Sequence, residues 1–166
     1  IRMDGWTTED LSIESDAGLV IRWTTSRLEE LDQLFDDAGA WLHALEAGAQ
    51  LEPDIRFEAM AGAISGLKPV FVKARSAAEI ESAVAWAVRR DLDIIIVGGH
   101  EADRVTELLT AHDVPVIITG VLRLPGARDD AVDAPFTLPR RLFDAGVRFC
   151  ISSAEEPAHE RNLPYH

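Results

Sequence analysis

Apolar residues in the first part of the chain recur mainly at helical spacing. The spacing predicts one long helix with its apolar stripe over Leu28–Leu45 and a shorter helix over Phe57–Ile64. Ser26 and Glu29 have the spacing of a capping box, so we expect the long helix to begin there. Gly48 is the expected stop, because glycine is favoured just after a helix.

The residues before the long helix predict a small hairpin instead. The apolar groups Leu11–Ile13 and Leu19–Ile21 flank the turn-forming sequence Ser15–Gly18. With the two helices, this hairpin makes residues 1–67 an N-terminal region that leads into a region of alternating strands and helices.

From residue 68 onwards, short apolar runs alternate with helical stripes. The four runs are Pro69–Val72, Ile94–Val97, Pro115–Ile118 and Val147–Ile151. They lack polar alternation, which is typical of a parallel sheet covered by helices, and for Ile94–Val97 we expect both faces of the strand to be buried. A second capping box, Ser76 with Glu79, precedes the first of these helices. Cys150 lies inside the last run, so we expect it to be a small buried hydrophobic residue.

Residues 68–166 are therefore predicted to form four β/α units of an α/β protein. Two architectures fit this pattern: an open doubly wound sheet, and part of an eight-stranded TIM barrel. In both of them ligands bind at the carboxyl ends of the strands, so the candidate site residues are those that come directly after each apolar run.

The first two strand ends carry charged and glycine residues. Lys73 and Arg75 follow the first run, and Lys73 is either an anion contact or base, or a structural ion-pair partner. Gly98 and Gly99 precede His100, which is either a metal ligand or base, or a loop histidine. The two glycines also allow a phosphate site, as in a stand-alone nucleotide-binding domain, although the spacing of a dinucleotide or Walker motif is missing.

The last two strand ends carry hydroxyl groups. Thr119 follows the third run, and Ser152 and Ser153 follow the fourth. No Gly-x-Ser-x-Gly elbow surrounds the serines, which favours substrate contacts or a loop over a nucleophile.

The overall charge limits the class of partner. The formal net charge is −13, which disfavours binding to nucleic acids and to anionic membranes. No apolar run approaches the length of a membrane span, and a small-molecule substrate is the expected partner. The single cysteine rules out an internal disulfide and a cysteine-based metal site. The chain begins at Ile1, so a preceding segment is possible, and localisation stays open between cytoplasm and periplasm.

Four phrases, taken in order along the chain, resemble the bacterial, imidazolonepropionase-like branch of the amidohydrolase family. They are Ile1–Leu11, Lys68–Ala74, Asp144–Phe149 and Arg161–His166. The resemblance implies the C-terminal half of a (β/α)₈ barrel, with the four units as strands five to eight. It also implies a site with a divalent metal, zinc by preference, that hydrolyses amide or cyclic amide C–N bonds.

The resemblance also implies that this chain differs from the family at the positions of the metal ligands. The family's fifth strand ends in a ligand histidine where this chain has Lys73, and His100 is the nearest match to the ligand of the sixth strand. The eighth strand normally supplies an aspartate, whereas the matching stretch here, Ile151–Ala154, has none. A His-x-His pair of the first strand would lie outside this chain.

These differences lead to two hypotheses of function. In the first, the chain is part of a metal-dependent hydrolase and is inactive alone, with Lys73 and His100 as catalytic residues. Arg75, Thr119, Ser152 and Ser153 then contact the substrate, His100 is the metal ligand, and this chain alone holds no metal. In the second, the chain belongs to a non-catalytic binding or scaffold protein on the same fold. Either a homodimer or the missing half of the barrel is expected to cover the exposed strand edges.

Overall fold

The computed structural model describes residues 16–121, 123–124 and 131–153. Its strands are β1 (Leu19–Arg22), β2 (Val70–Ala74), β3 (Ile94–Gly98), β4 (Val116–Thr119) and β5 (Phe149–Ser152). Its α-helices are α1 (Leu28–Glu46), α2 (Ile55–Ile64), α3 (Ala77–Arg90), α4 (Thr106–Ala111) and α5 (Ala134–Asp144). Short 3₁₀ turns, Thr25–Arg27 and Ala102–Val105, lead into α1 and α4.

The sheet is parallel throughout, and its strand order β1-β2-β3-β4-β5 follows the chain. Right-handed crossovers between strands in sequential order place every connecting helix on the same face. An open doubly wound sheet would reverse its strand order and cover both faces. The chain is therefore an α/β fold with part of a barrel, and the doubly wound alternative is wrong.

The core lies between the sheet and these helices. Alternate strand residues, such as Val70 and Val72 of β2, are fully buried on the helix-covered face. Trp86 of α3 is also fully buried, and it packs edge-on against Phe35 of α1 and against Trp23, with ring centroids 5.1 Å and 5.5 Å apart. No helix in the described residues is both long and apolar enough to cross a membrane.

The opposite face of the sheet, which we call the open face, is only partly covered by the described residues. It carries two rows of residues that the strand register pairs side by side: Val20, Phe71 and Ile95 in one row, and Val97, Ile117 and Cys150 in the next. Both faces of Ile94–Val97 were expected to be buried; Ile94 and Ile96 are buried, whereas Ile95 and Val97 on the open face are partly buried by the described residues. Cys150, expected to be buried, is exposed because it lies on the open face of the last strand.

The structure also corrects two predictions near the start of the chain. Leu19–Arg22 pairs in parallel with β2, so the sheet has a partner for β2 that the sequence did not indicate. The other half of the predicted hairpin, Leu11–Ile13, lies outside the described residues. The Ser26 capping box does not form, because a 3₁₀ turn precedes α1 and makes Arg27 its N-cap. The second box, Ser76 with Glu79, is confirmed.

Candidate functional site

The strand register brings the predicted site residues to one edge of the sheet. Arg22 is paired with Lys73, and Lys73 with Val97, so these three share the open face at the carboxyl ends of β1 to β3. Thr119 and Ser152 are paired in the same way at the ends of β4 and β5. Neighbouring strands lie about 4.8 Å apart, so polar side chains from all these strands face one narrow strip.

A cleft of about 270 Å³ opens along this strip. It is lined by Arg22, Trp23, Lys73, Arg75, Glu79, Val97, Gly98 and Thr119. Three of the predicted site residues, Lys73, Arg75 and Thr119, therefore lie in the same cavity. This volume is slightly below the range of pockets that hold drug-sized ligands, so the cleft suits a small molecule.

Among the described residues, Glu79 supplies the carboxylate of the cleft, and the start of α3 holds it in place. Its Oε2 atom accepts hydrogen bonds from the backbone N–H groups of Arg75 at 2.7 Å and Ser76 at 3.1 Å. Burial of the Glu79 carboxyl opposes its ionisation, but these N–H donors outweigh burial and lower its pKa. Glu79 is thus a charged helix-capping residue rather than a proton donor.

Gly98 and Gly99 let the backbone turn sharply after β3, and close packing requires both. Their φ angles are 109° and 56°, in the region that favours glycine. A Cβ on Gly99 would lie 2.4 Å from Cγ1 of Val116. The N–H of Gly99 donates to the Ala74 carbonyl oxygen at 2.9 Å. This bond uses an N–H group that a phosphate would need, which argues against the nucleotide-binding alternative.

His100 lies beside the cleft, next to the end of β4. Its Nε2 atom is 3.3 Å from Oγ1 of Thr119, and Arg123 donates a hydrogen bond to its carbonyl oxygen at 3.3 Å. Burial, followed by the positive charges of Arg123 and Arg75, lowers the pKa of His100 to about 4. The imidazole is therefore neutral at pH 7, so it can accept a proton only weakly and cannot serve as a cationic acid.

The described side chains around His100 do not fit a metal ion. Within the described residues, no three side chains of histidine, cysteine, aspartate or glutamate come close enough together to hold one. The charged groups that depress the pKa of His100 are the cations Arg75 and Arg123, and a metal would be repelled by both. Lys73, at the strand end where the resemblance places a ligand, cannot ligate while protonated.

The two serines at the end of β5 lie at the same edge in different environments. Ser152 is half-buried, and its carbonyl oxygen accepts from the Gly120 N–H at 2.9 Å. Ser153 is buried, with 9% of its surface exposed. In the part of the chain that the structure describes, neither hydroxyl is hydrogen-bonded to a histidine or a carboxylate, which a serine nucleophile requires.

Sequence reasoning missed Arg22, Trp23 and Glu79 as residues of the cleft. Arg22 was missed because its strand was assigned to a hairpin. A usable signal was present, since Leu19–Arg22 and Val70–Lys73 share one pattern, an apolar run that ends in a cation. Glu79 was assigned only a capping role, which it does have while it also lines the cleft.

One solved structure with a similar fold is an amidohydrolase from Thermotoga maritima MSB8. The two backbones agree with a TM-score of 0.75 and 17% sequence identity, over 92% of this chain and 45% of that chain. At this identity the likeness shows the fold alone, and the chain spans less than half the length of that protein. No protein-family model and no curated protein matches the sequence.

Proposed function

We propose that this chain supplies part of the small-molecule site of an amidohydrolase-like protein, and that the complete protein hydrolyses amide or cyclic amide C–N bonds. The observation that carries the proposal is the convergence of Arg22, Lys73, Thr119 and Ser152 on one face at the carboxyl edge. Ligands of parallel barrels bind at this edge. The choice of hydrolysis rests on analogy with the fold and on the sequence resemblance.

In this proposal the polar groups of the edge hold the substrate. Arg75, Thr119, Ser152 and Ser153 provide donors for a carbonyl or carboxylate oxygen. Lys73 and the neutral ring of His100 are the candidate groups for moving a proton. Any divalent metal would need its ligands from residues beyond those described, because His100 alone provides one donor where several are needed.

A second candidate function is binding without catalysis. The side chains around His100 favour binding without catalysis, because cations lie where a metal-dependent hydrolase would have metal ligands. Lys73 and Arg75 would then hold a ligand by charge, and no water would be activated.

Zinc binding and turnover together distinguish the two functions. Two proteins are compared: the 166-residue chain and the longest protein that contains it. Each is incubated with zinc, desalted and analysed for bound metal. Each is then assayed for hydrolysis of N-acyl amino acids and five-membered cyclic amides. One zinc per longer protein, with turnover lost in His100→Ala, supports the hydrolase. Ligand binding with no retained zinc and no turnover supports the binding protein. Stoichiometric zinc on the 166-residue chain alone would contradict the conclusion that the donors around His100 do not fit a metal.

A further inference from the structure

The charge of the cleft is opposite to that of the protein. The chain carries a formal net charge of −13, but the described residues that line the cleft include three cations, Arg22, Lys73 and Arg75, and one carboxylate, Glu79. In addition, Glu79 is already bonded to two backbone N–H groups. A positive cleft in an acidic protein attracts anions locally, whereas the rest of the surface repels them.

The arginines of the cleft also differ from those elsewhere. Most arginines of the described chain form ion pairs with carboxylates: Arg27, Arg56, Arg90, Arg104, Arg140, Arg141 and Arg148. Arg22 and Arg75 have no carboxylate at ion-pair distance within that part of the chain, although aspartate and glutamate greatly outnumber basic residues in the sequence. Two guanidinium groups in one cleft thus keep their donors available for a ligand.

The geometry of the cleft suits a planar or tetrahedral oxyanion. Arg22 ends β1 beside Lys73, and Arg75 comes directly after β2, so all three cations come from two neighbouring strand ends. Thr119 provides a hydroxyl from the end of β4. Guanidinium groups bind carboxylate and phosphate oxygens in pairs, which fixes orientation as well as charge. The cleft volume of about 270 Å³ suits a small ligand.

We propose that this cleft is a binding site for the oxyanion group of a small molecule, a carboxylate or a phosphate, held by Arg22 and Arg75 with Lys73 and Thr119. This inference adds the class of ligand to the site of the proposed function, and it rests on that function only for the location of the site. It requires neither a metal nor hydrolysis.

Calorimetric titration of the 166-residue chain with sodium succinate and with inorganic phosphate tests the proposal, at constant ionic strength set with chloride. The neutral control ligand is succinamide. We expect both anions to bind at least tenfold more tightly than succinamide. The anion that binds more tightly identifies the oxyanion group that the cleft recognises. Equal affinities for succinate and phosphate mean that the cleft recognises charge alone. Binding of succinamide as tight as that of the anions would overturn the proposal.

Variants assign the binding to the cleft. Loss of one charge-assisted pair weakens binding by about tenfold or more, so Arg22→Gln and Arg75→Gln should each lose that factor. Arg89→Gln is the matched control, because Arg89 is exposed on α3 and, within the described residues, its side chain donates to the backbone oxygen of Ala85. Equal weakening by Arg89→Gln would overturn the proposal. If Arg75→Gln fails to fold, as judged by its circular dichroism spectrum, Arg75→Lys takes its place. Arg75→Lys keeps the positive charge but lacks the paired N–H donors of the guanidinium group, so it separates the effect of paired hydrogen bonds from the effect of charge.

The result of the oxyanion titration does not depend on the result of the hydrolase assay. A chain that binds neutral amides but no oxyanion would overturn this inference and leave the proposed function intact. Oxyanion binding without turnover would support this inference and favour the binding protein.

Discussion

The Nε2 atom of His100 lies 3.3 Å from Oγ1 of Thr119, and this contact joins the loop after β3 to the end of β4. The contact spans 19 residues of sequence and links two neighbouring strand ends of the site. It also places the imidazole where burial and the cations Arg123 and Arg75 lower its pKa.

We expect the folded protein to lose stability as the pH falls from about 6.5 to about 4. In the unfolded chain His100 has an ordinary pKa near 6.5, and in the folded protein its pKa is about 4. Between these values the unfolded state binds more protons, so the free energy of unfolding rises with pH and falls on acidification. Allowing for solvent screening of the half-buried ring, the loss is about 1–2 kcal/mol.

Urea unfolding of the wild type and of His100→Gln at pH 7 and pH 4.5 measures this loss. Other groups also titrate in this range, so the prediction concerns the difference between the two proteins. We expect a shallower pH dependence in His100→Gln, whereas His112→Gln, at an exposed site, should behave like the wild type. An NMR titration of the His100 ring near pH 6.5 would contradict the prediction.

Gly99→Ala should destabilise the protein by about 2–4 kcal/mol, because two costs add. The backbone φ of 56° is strained for a residue with a Cβ, and the added Cβ would lie 2.4 Å from Val116, which overpacks the core. Gly48→Ala is the matched control, since its φ is 84° but nothing lies within 4 Å of an added Cβ. It should lose only about 1–2 kcal/mol, and equal losses in urea unfolding would contradict the close packing at Gly99.

The sequence predicted the repeating elements well because their signals are local. The runs that became β2, β3, β4 and β5 are apolar and contiguous, and the Ser76 capping box lies within four residues. The partner of β1 is about fifty residues away, and Leu19–Arg22 carries no local signal for it beyond the pattern it shares with Val70–Lys73, an apolar run that ends in a cation. Arg22 was missed at the site for that reason. The exposure of Cys150 also depends on which face the crossovers cover, which no local pattern specifies.

Asp32→Ala should destabilise the protein by about 1–2 kcal/mol. Asp32 Oδ1 accepts from Trp86 Nε1 at 2.8 Å and from Arg90 Nε at 2.7 Å, and so joins α1 to α3. Its removal leaves the indole N–H of a fully buried tryptophan without an acceptor, and such a buried donor is costly. Burial of Asp32 opposes its ionisation, but the bonds from Arg90 and Trp86 outweigh it and lower the pKa.

Asp36→Ala is the control for this contact in urea unfolding. Asp36 pairs with Nη1 of the same Arg90, at 2.9 Å, but its side chain is well exposed. An exposed pair typically contributes about 0.2–1 kcal/mol, so this variant should lose less stability than Asp32→Ala. If the Asp36 and Asp32 variants lost the same stability, the Trp86 bond would not be the stabilising contact.

We expect the 166-residue chain to form a homodimer that covers the open face or an edge strand. Val20 is 60% exposed on β1 at one edge of the sheet, and Cys150 is exposed on β5 at the other. Within the described residues neither edge strand has an outer partner, and unpaired strand edges favour pairing with a second chain. Burying apolar surface contributes about 25 cal/mol per Å², and a two-fold pair is the commonest closed assembly.

Light scattering after size exclusion at micromolar concentration measures the assembly, which should have the mass of two 18.2 kDa chains. Val20→Glu should shift it towards the monomer, because the new charge would be buried in the interface. Val88→Glu is the matched control: Val88 is 52% exposed on α3, a helix on the covered face, and this variant should remain dimeric. A wild-type monomer that binds no hydrophobic dye would show that the chain covers its own open face, and the dimer prediction would then be wrong.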